Sequence, residues 1–356
     1  MKKFLARINP SFYKISIGND ILSSLPQRPE LSLADKIVVV VSSNLFQIHE
    51  NFLKKSLGPD LFSKIILMDD GEEKKNYKYA EIFFNTFIKL GLTRKSLVVA
   101  IGGGVVGDFV GFLAAFYMRG ISIVHVPTTL LAMVDSSLGG KVAVNLKVGK
   151  NVVGAFHQPR YILSEVKFLT TLPAKEWKNG LTEILKHGLI GEKNTLDLLK
   201  KHNLSSIKEL KVIEKLVYYS AVFKISVVEK DEKEGGLRSI LNFGHTFGHA
   251  LESFFKYQIS HGEAVALGIL VATEISKRMK FLSAPEALTI KKILYKYRLL
   301  NKNLKFNSEQ IIDHMKYDKK NVANRVNFVL LKKIGNPVYN QQVDKNLLKD
   351  ILDNLH

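Results

Sequence analysis

The strongest constraint on the fold is an alternation of two patterns over the first 165 or so residues. Continuous runs of β-branched and other apolar residues, typical of buried parallel strands, occupy residues 36–41, 64–68, 96–101 and 121–126. Helical spacing of apolar residues fills the intervals at residues 45–57, 77–90 and 106–115. Strands that alternate with helices predict a parallel sheet covered on both faces, which is an α/β fold.

The pattern changes after Leu172 and Pro173. Residues 174–315 have almost entirely helical periodicity, and residues 326–332 followed by Gly335-Asn336-Pro337 predict a short hairpin. We therefore expect two domains: a Rossmann-like α/β domain at residues 1–172 and an all-helical domain at residues 173–356. A cleft between two domains is a preferred place for a ligand.

Composition narrows the chemistry that the chain can perform. It contains no cysteine, so a metal ion must be held by His, Asp, Glu or water, which indicates zinc or another divalent ion. The net charge of +19 comes from Lys and Arg spread along the whole chain, without a nucleic-acid motif. We interpret it as a lysine-rich surface whose field also favours an anionic substrate.

Residues 1–7 lack the pattern of a signal peptide, and no stretch reaches the ~18 apolar residues of a membrane span. We expect a cytoplasmic protein.

A glycine-rich segment, GGGVVGD at residues 102–108, follows a predicted strand and opens a predicted helix. Glycines let the backbone approach a phosphate, and the helix N-terminus offers free N–H groups. The spacing matches G-x-G-x-x-G, but residues 124–128 lack the acidic residue expected about 20 positions later. We predict a pyrophosphate site that departs from the standard Rossmann arrangement, with a plain tight turn as the alternative.

Three further clusters of polar residues suit an anionic ligand. Asp70, Glu72 and Lys75 follow a strand end, where turn chemistry is the alternative interpretation. Residues 126–141 combine the paired hydroxyls of Thr128 and Thr129 with an acid, paired glycines and a lysine, and Gly149-Lys150-Asn151 follows. We expect these residues to lie on glycine-bearing loops that bind an anion.

The helical half contains the candidate metal ligands. Glu183 shares a helical face with Lys186 and His187, and His245 and His249 stand at i and i+4. His261 opens a further helical run. These residues predict a His/Glu metal site. Spacing alone leaves open whether His245 and His249 bind one ion, because the glutamate of an H-E-x-x-H helix is missing.

Six segments, in this order, resemble motifs of the 3-dehydroquinate synthase family of sugar phosphate cyclases: GGGVVGD, VPTTLLAMVDSSLGGKVAVN, GKNVVGAFHQP, LTEILKHG, EGGLRSILNFGHTFGHALE and HGEAVALG. The resemblance runs from about residue 70 to residue 335. It implies a lyase of the shikimate pathway, which leads to chorismate and the aromatic amino acids. The implied reaction converts 3-deoxy-D-arabino-heptulosonate 7-phosphate into 3-dehydroquinate and phosphate. Its implied course is transient oxidation by NAD, β-elimination of phosphate, re-reduction and intramolecular aldol closure.

The resemblance also implies a role for individual residues, with NAD bound by the first domain and metal and substrate by the second. Zinc, with cobalt as the alternative ion, would be held by Glu183, His245 and His261. The implied NAD contacts are Asp70, Glu72, Lys75, Gly104, Val105, Val106, Gly107, Asp108, Thr128, Thr129, Lys141, Lys150, Phe168, Leu169, Thr170 and Thr171. The implied substrate contacts are Asp135, Lys141, Asn151, Lys186, Lys224, Arg238, Asn242, His249 and one of Lys319 and Lys320. Arg119 resembles an arginine contributed by a neighbouring subunit, which implies a homodimer.

The sequence departs from the family pattern at two positions. Ser42 stands where some relatives carry a more polar or acidic residue near the adenosine ribose, and His187 stands where others often have tyrosine.

Three other interpretations compete with this one. Another sugar phosphate cyclase, making an inosose or a valiolone, is disfavoured by Lys224 and Arg238, which suit a substrate carboxylate. A metal-dependent polyol or glycerol-1-phosphate dehydrogenase would accumulate NADH. A basic nucleic-acid-binding protein would show salt-dependent DNA binding and leaves the ordered motifs unexplained.

Overall fold

A computed structural model describes residues 1–8, 10–301, 304–316 and 326–355. The chain divides into two compact units, Met1–Leu172 and Pro173–His356. Lys319 and Lys320, predicted to include a substrate contact, lie outside the described residues. None of the described helices combines the length and the apolar character that a membrane crossing requires.

The first unit is built on a mainly parallel sheet. Its helices are α1 (Pro29–Ser32), α2 (Ser43–Phe62), α3 (Tyr77–Lys89) and α4 (Gly104–Phe116). Its strands are β1 (Lys2–Ile8), β2 (Ser11–Gly18), β3 (Ile37–Ser42), β4 (Ile65–Met68), β5 (Leu97–Gly102), β6 (Ser122–Pro127), β7 (Lys141–Leu146), β8 (Gly149–Phe156) and β9 (Tyr161–Glu165). Seven of the described strands form one sheet in the order β1-β2-β9-β6-β5-β3-β4, in which β1 is antiparallel to β2 and the other neighbours are parallel. The predicted α/β fold is confirmed.

The valine run in β3 shows why this sequence forms a central strand. Successive side chains of a strand point to opposite faces of the sheet. Val38 and Val40 pack into a core formed with α3 and α4, whereas Val39 and Val41 pack into a second core formed with α2. Both faces of β3 are therefore buried, as an unbroken β-branched run predicts.

The main departure from the predicted pattern is the antiparallel hairpin of β7 and β8. Lys141 begins β7, and Lys150 and Asn151 lie in β8, so the expectation that these residues lie on glycine-bearing loops is wrong. The hairpin forms because Val142 and Val144 are buried in the core that contains α4. The sequence pattern also did not predict β1, β2 and β9.

The second unit is helical apart from one hairpin. Its helices are α5 (Ala174–Ile190), α6 (Lys193–Lys201), α7 (Leu210–Lys230), α8 (His245–Phe254), α9 (His261–Arg278), α10 (Ala284–Lys296), α11 (Ser308–Lys316) and α12 (Lys345–Asp353). The strands β10 (Val326–Lys333) and β11 (Asn336–Val343) pair antiparallel. Most of α9 is buried, and it packs against α5, α8, α10 and β10. The helical character and the hairpin predicted from the sequence are both confirmed. Because of the hairpin, this unit is mostly but not entirely helical.

Glycines allow α8 and α9 to approach each other at backbone distance. A Cβ atom at Gly268 would lie 1.9 Å from the Gly244 carbonyl oxygen, and one at Gly248 would lie 3.2 Å from the Cα atom of Val265. Gly244 has a φ of +81°, a conformation that glycine adopts without strain, and it directly precedes α8. Side chains at the starts of the two helices can therefore meet.

Candidate functional site

A carboxylate and two imidazoles meet inside the second unit. Glu183 lies in α5, and His245 and His261 are the first residues of α8 and α9. Glu183 Oε1 lies 3.6 Å from His245 Nε2 and 3.4 Å from His261 Nε2. One potential ligand atom from each residue lies within 4.8 Å of the other two. Three different helices thus bring the three predicted metal ligands together.

The separations in this cluster fit a metal ion better than they fit hydrogen bonds. Hydrogen bonds between nitrogen and oxygen measure about 2.7–3.2 Å, which is shorter than both distances. A tetrahedral zinc ion with bonds of about 2.05 Å holds its ligand atoms about 3.3 Å apart. The geometry of Glu183, His245 and His261 therefore suits a shared divalent ion.

The state of the Glu183 carboxylate also indicates a cation. The side chain is fully buried, and neither oxygen has a hydrogen-bond partner of acceptable geometry among the described residues. A buried carboxylate is stable only when paired or metal-bound. The Lys186 ammonium faces Oε2, which leaves Oε1 directed at the two imidazoles. The residues present fit a metal ion held jointly with the histidines.

The start of α9 is clamped to α5, and this contact sets the position of His261. The Gly262 N–H donates to Asn179 Oδ1 at 2.9 Å, and the Thr182 hydroxyl donates to the Gly262 carbonyl at 3.2 Å. Asn179 and Thr182 belong to the same helix as Glu183. One helix therefore carries a ligand and also holds the neighbour of a second ligand.

The ionisable groups of the cluster shift one another's pKa. Burial opposes ionisation of Glu183, but Lys186 and the two histidines outweigh it and hold the pKa of Glu183 well below its usual range. Burial, with Lys186 nearby, lowers the pKa of His245 well below its usual value. Burial also disfavours the charged form of His261, but the nearby carboxylates of Glu183 and Glu252 outweigh it and raise the pKa of His261 to about 10. A proton and a metal ion therefore compete for the ring nitrogen of His261 that faces Glu183.

His249 lies beside the cluster. Its ring centroid is 5.3 Å from that of His245, the two rings are nearly perpendicular, and its side chain is exposed. The i, i+4 spacing left open whether His245 and His249 share an ion. The structure instead groups His245 with Glu183 and His261.

Two buried cations of the second unit are candidates to bind an anion. Lys224 of α7 and Arg238 are 6% and 3% exposed. Arg238 follows a turn organised by Asp231, whose carboxylate accepts three backbone N–H groups, including that of Arg238, at 2.8–2.9 Å. These hydrogen bonds hold the pKa of Asp231 below its usual value, and the bond from the Arg238 N–H has the largest effect. Asn242, in the same segment, donates to Glu234 at 2.7 Å. Sequence reasoning missed Asp231, although an acid shortly before paired glycines is typical turn chemistry.

In the first unit, the glycine turn between β5 and α4 forms as predicted. α4 begins at Gly104, and no side chain caps it. A Cβ atom at Gly103 would lie 2.9 Å from Thr129 Cγ2, and one at Gly104 would lie 3.0 Å from Ser136 Oγ. Val106 is buried in the core, so a ligand at this turn would meet main-chain atoms. Close packing and phosphate binding both favour glycine here, which agrees with both interpretations of the motif.

Four predicted residues of the first unit belong to one polar network. Lys75 is 2% exposed, and its ammonium lies 2.7 Å from Asp108 and 3.7 Å from Glu72. The Asn145 side-chain amide donates to Glu72 at 2.7 Å, and its oxygen accepts from the Asn151 N–H at 2.9 Å. Asn145 also belongs to the network; it ends the motif at residues 126–145, but no role was predicted for it.

The other predicted residues of this unit differ in their burial and contacts. The Asp70 carboxylate accepts from the Ser42 hydroxyl at 2.6 Å and the Asn44 N–H at 2.8 Å, which ties it to the start of α2. Phe168 and Leu169 are each 1% exposed, so their side chains serve the core and leave only main-chain atoms for a ligand. Thr128 is buried beside the glycine turn. The remaining predicted side chains of this unit are partly or fully exposed: Arg119, Thr129, Asp135, Lys141, Lys150, Thr170 and Thr171.

Two family models match the segments that carry these residues. The model for 3-dehydroquinate synthase N-terminal matches residues 65–179, and the model for 3-dehydroquinate synthase C-terminal matches residues 180–321. The two ranges are contiguous and cover well over half of the 356 residues. The chain belongs to the 3-dehydroquinate synthase family. This membership confirms the resemblance seen in the motifs, and with it the prediction of a 3-dehydroquinate synthase, an enzyme of the lyase class.

Relatives of known name agree with the family. A 3-dehydroquinate synthase of Leptospira interrogans is 41% identical over 322 residues, which cover 90% of this chain and 88% of the relative. One of Dehalococcoides mccartyi is 36% identical over 359 residues, which cover 100% of both chains. A solved structure of 2-deoxy-scyllo-inosose synthase complexed with carbaglucose-6-phosphate, NAD+ and Co2+ is 28% identical, with a TM-score of 0.89, and covers 99% of this chain and 100% of that chain. A sugar phosphate cyclase with NAD+ and a divalent ion thus shares the fold of this family member.

Proposed function

We propose that this chain is a cytoplasmic enzyme that converts 3-deoxy-D-arabino-heptulosonate 7-phosphate into 3-dehydroquinate and phosphate. The observation that carries the proposal is the cluster of Glu183, His245 and His261, whose separations suit a divalent ion, in a member of this family. Zinc is the proposed ion because imidazole and carboxylate ligands suit it, and cobalt is the alternative. NAD is the proposed cofactor of the first unit, supported by the glycine turn and by the solved relative with NAD+.

When bound, the metal ion would polarise a substrate hydroxyl and NAD would take up and return a hydride, so that the net change is phosphate elimination and ring closure without net oxidation. The chain's own residues hold the groups in place. Lys186 stabilises the ionised Glu183 carboxylate in its ligand form. Lys224 and Arg238 are buried, so their charges are weakly screened and attract the carboxylate of a sugar phosphate acid. The substrate contacts implied for Asp135, Lys141, Asn151, Asn242 and His249 belong to the same proposal.

A second sugar phosphate cyclase activity is the alternative, because the solved relative is a 2-deoxy-scyllo-inosose synthase of the same fold. Such a reaction needs no substrate carboxylate. Two buried cations in one unit, Lys224 and Arg238, favour the substrate that has one.

Phosphate release from the heptulosonate phosphate tests the proposal. With NAD far below the substrate concentration, we expect many phosphates released per NAD and no accumulation of NADH. Removal of metal with a chelator should abolish the release, and zinc should restore it. Glucose 6-phosphate in place of the substrate tests the alternative cyclase. Stoichiometric NADH would indicate a dehydrogenase, and release that persists in chelator would contradict the metal site.

We further propose a homodimer in which Arg119 reaches a neighbouring subunit. Met118, Arg119 and Gly120 have φ values of 49°, 70° and 118°, a strained turn for two non-glycine residues. Beside it, Phe116 and Met118 are 45% and 42% exposed. Backbone strain is often retained at functional positions, and neighbouring exposed apolar side chains can form part of an interaction surface, so both features support an interface at this turn. Sedimentation should show a dimer, and Met118→Glu should shift it towards monomer. A monomeric wild-type protein would contradict the proposal.

A further inference from the structure

Outside the three proposed ligands, a second carboxylate faces His261. Glu252 Oε1 lies 3.5 Å from His261 Nδ1, while Glu183 Oε1 lies 3.4 Å from His261 Nε2. The Glu252 side chain is 13% exposed and that of His261 is 29% exposed. The imidazole therefore stands between two carboxylates, with one at each ring nitrogen.

We propose that Glu252 is a positioning residue that orients the His261 imidazole for metal binding, an inference that rests on the proposed metal site. A neutral imidazole binds a metal through one nitrogen while the other carries a hydrogen. A carboxylate that accepts this hydrogen from Nδ1 fixes the tautomer and turns the Nε2 lone pair towards the ion. Glu183 is the ligand of the two carboxylates, because its Oε1 also faces His245.

The fold places Glu252 for this role through α8. His245 and Glu252 are seven residues apart in this helix, about two turns, and therefore lie on one face. The His261 main chain is fixed by a capping box between Ser260 and Glu263 and by the clamp on α5. The remaining freedom of His261 is rotation of its ring, and the contact with Glu252 restricts that rotation.

His245 is oriented in a different way. Its Nδ1 lies 3.3 Å from the main-chain carbonyl oxygen of Phe243, an acceptor that a side-chain substitution does not remove. The two histidines of the cluster thus have different outer partners, one from the main chain and one from a side chain. Substitution of Glu252 should act on the metal through His261 alone.

The test compares Glu252→Ala, Glu252→Gln and a matched control, Glu274→Ala. Glu274 is a carboxylate near the C-terminal end of α9, paired with Lys277 at 3.3 Å. Zinc affinity is measured by competition with a chromophoric chelator, and the visible spectrum of the cobalt-loaded protein reports ligand geometry. We expect Glu252→Ala to weaken zinc binding about 10- to 100-fold and to change the cobalt spectrum. Glu252→Gln should recover most of the affinity, because its amide oxygen is also an acceptor for the hydrogen on Nδ1, and Glu274→Ala should bind zinc as the wild type does.

The outcomes separate this inference from the proposed function. A wild-type protein that binds no zinc would overturn the metal site and the function with it. Tight wild-type binding with equal affinity in Glu252→Ala would overturn the role of Glu252 alone. That role would also be overturned if Glu252→Ala only lowered the free energy of unfolding of the metal-free protein and left the cobalt spectrum unchanged, because Glu252 would then be structural.

Discussion

Replacement of Gly262 by alanine should separate His261 from Glu183. A Cβ atom at residue 262 would lie 2.5 Å from Asn179 Cα, 2.7 Å from its Oδ1 and 2.9 Å from its backbone nitrogen. Non-bonded carbon atoms prefer a separation of about 3.5–4.0 Å. Two of the three atoms met are main-chain atoms of α5 and cannot rotate away, so the start of α9 must move outward by about 1 Å.

The magnitude follows from the steric overlap and from the hydrogen bond that the movement breaks. Overpacking of this kind destabilises a protein by about 1–3 kcal/mol, and loss of the hydrogen bond from Gly262 to Asn179 adds about 1 kcal/mol. We therefore expect the free energy of unfolding of the metal-free protein to fall by about 2–4 kcal/mol. The present separation between Glu183 and His261 is 3.4 Å. An increase of about 1 Å exceeds what one ion spans, so zinc affinity should fall about 10- to 100-fold.

Denaturant unfolding and chelator competition measure the two quantities for Gly262→Ala. Gly235→Ala is the control, because the nearest atom to its Cβ would be Asp231 Oδ1 at 3.9 Å, an ordinary contact. The control should keep both values. If Gly262→Ala retained the stability and zinc affinity of the wild type, the clamp on α5 would not set the separation of the ligands.

Three further perturbations test other parts of the structure. Burial, with a smaller contribution from His157, lowers the pKa of His125 from 6.5 to about 4. Between these pH values His125 binds a proton in the unfolded chain but not in the folded metal-free protein. The free energy of unfolding should therefore fall as the pH drops from 6.5 to 4. The expected loss is about 3 kcal/mol for the 2.5-unit difference (6.5 − 4). In denaturant titrations His125→Gln should flatten this slope, and an unchanged slope would contradict the account. Zinc at about 1,000 times its Kd should raise the free energy of unfolding by about 4 kcal/mol in the wild type but not in His261→Ala; equal gains would place the ion elsewhere. Lys75→Met removes the ion pair with Asp108 and should destabilise the protein by about 3 kcal/mol. It should also weaken NAD binding in a fluorescence titration. Unchanged NAD affinity would show that this network is not part of the cofactor site.

The parallel sheet could be predicted from the sequence because its signal is local. A run such as residues 38–41 is buried on both faces, and only a central strand meets that requirement. The hairpin of β7 and β8 could not be predicted in the same way. Its sequence mixes lysine, asparagine and glycine with valine, and it becomes sheet because Val142 and Val144 pack on α4. That contact is tertiary and leaves no clear local pattern.

The candidate site also has a part that could be predicted from the sequence and a part that depends on tertiary contacts. Residue types alone indicated a His/Glu site, and the family motifs indicated its members. The spacing of His245 and His249 on one helix left open whether these two residues share an ion. The contact between His245 and His261 depends on the close crossing of two helices at Gly244 and Gly268, which no single segment reveals. Glu252 and Asn145 each end a family motif, but neither was assigned a role from the sequence, because their contacts exist only once distant segments are packed.

In the proposed function, Glu183, His245 and His261 hold the metal ion on which the reaction depends. X-ray absorption at the zinc edge of the zinc-loaded protein tests it most directly. We expect nitrogen and oxygen neighbours at about 2.0–2.2 Å, with outer-shell scattering from two imidazoles that falls to one in His261→Ala. A shell of oxygen atoms without imidazole scattering, or a spectrum that His261→Ala leaves unchanged, would contradict the assignment.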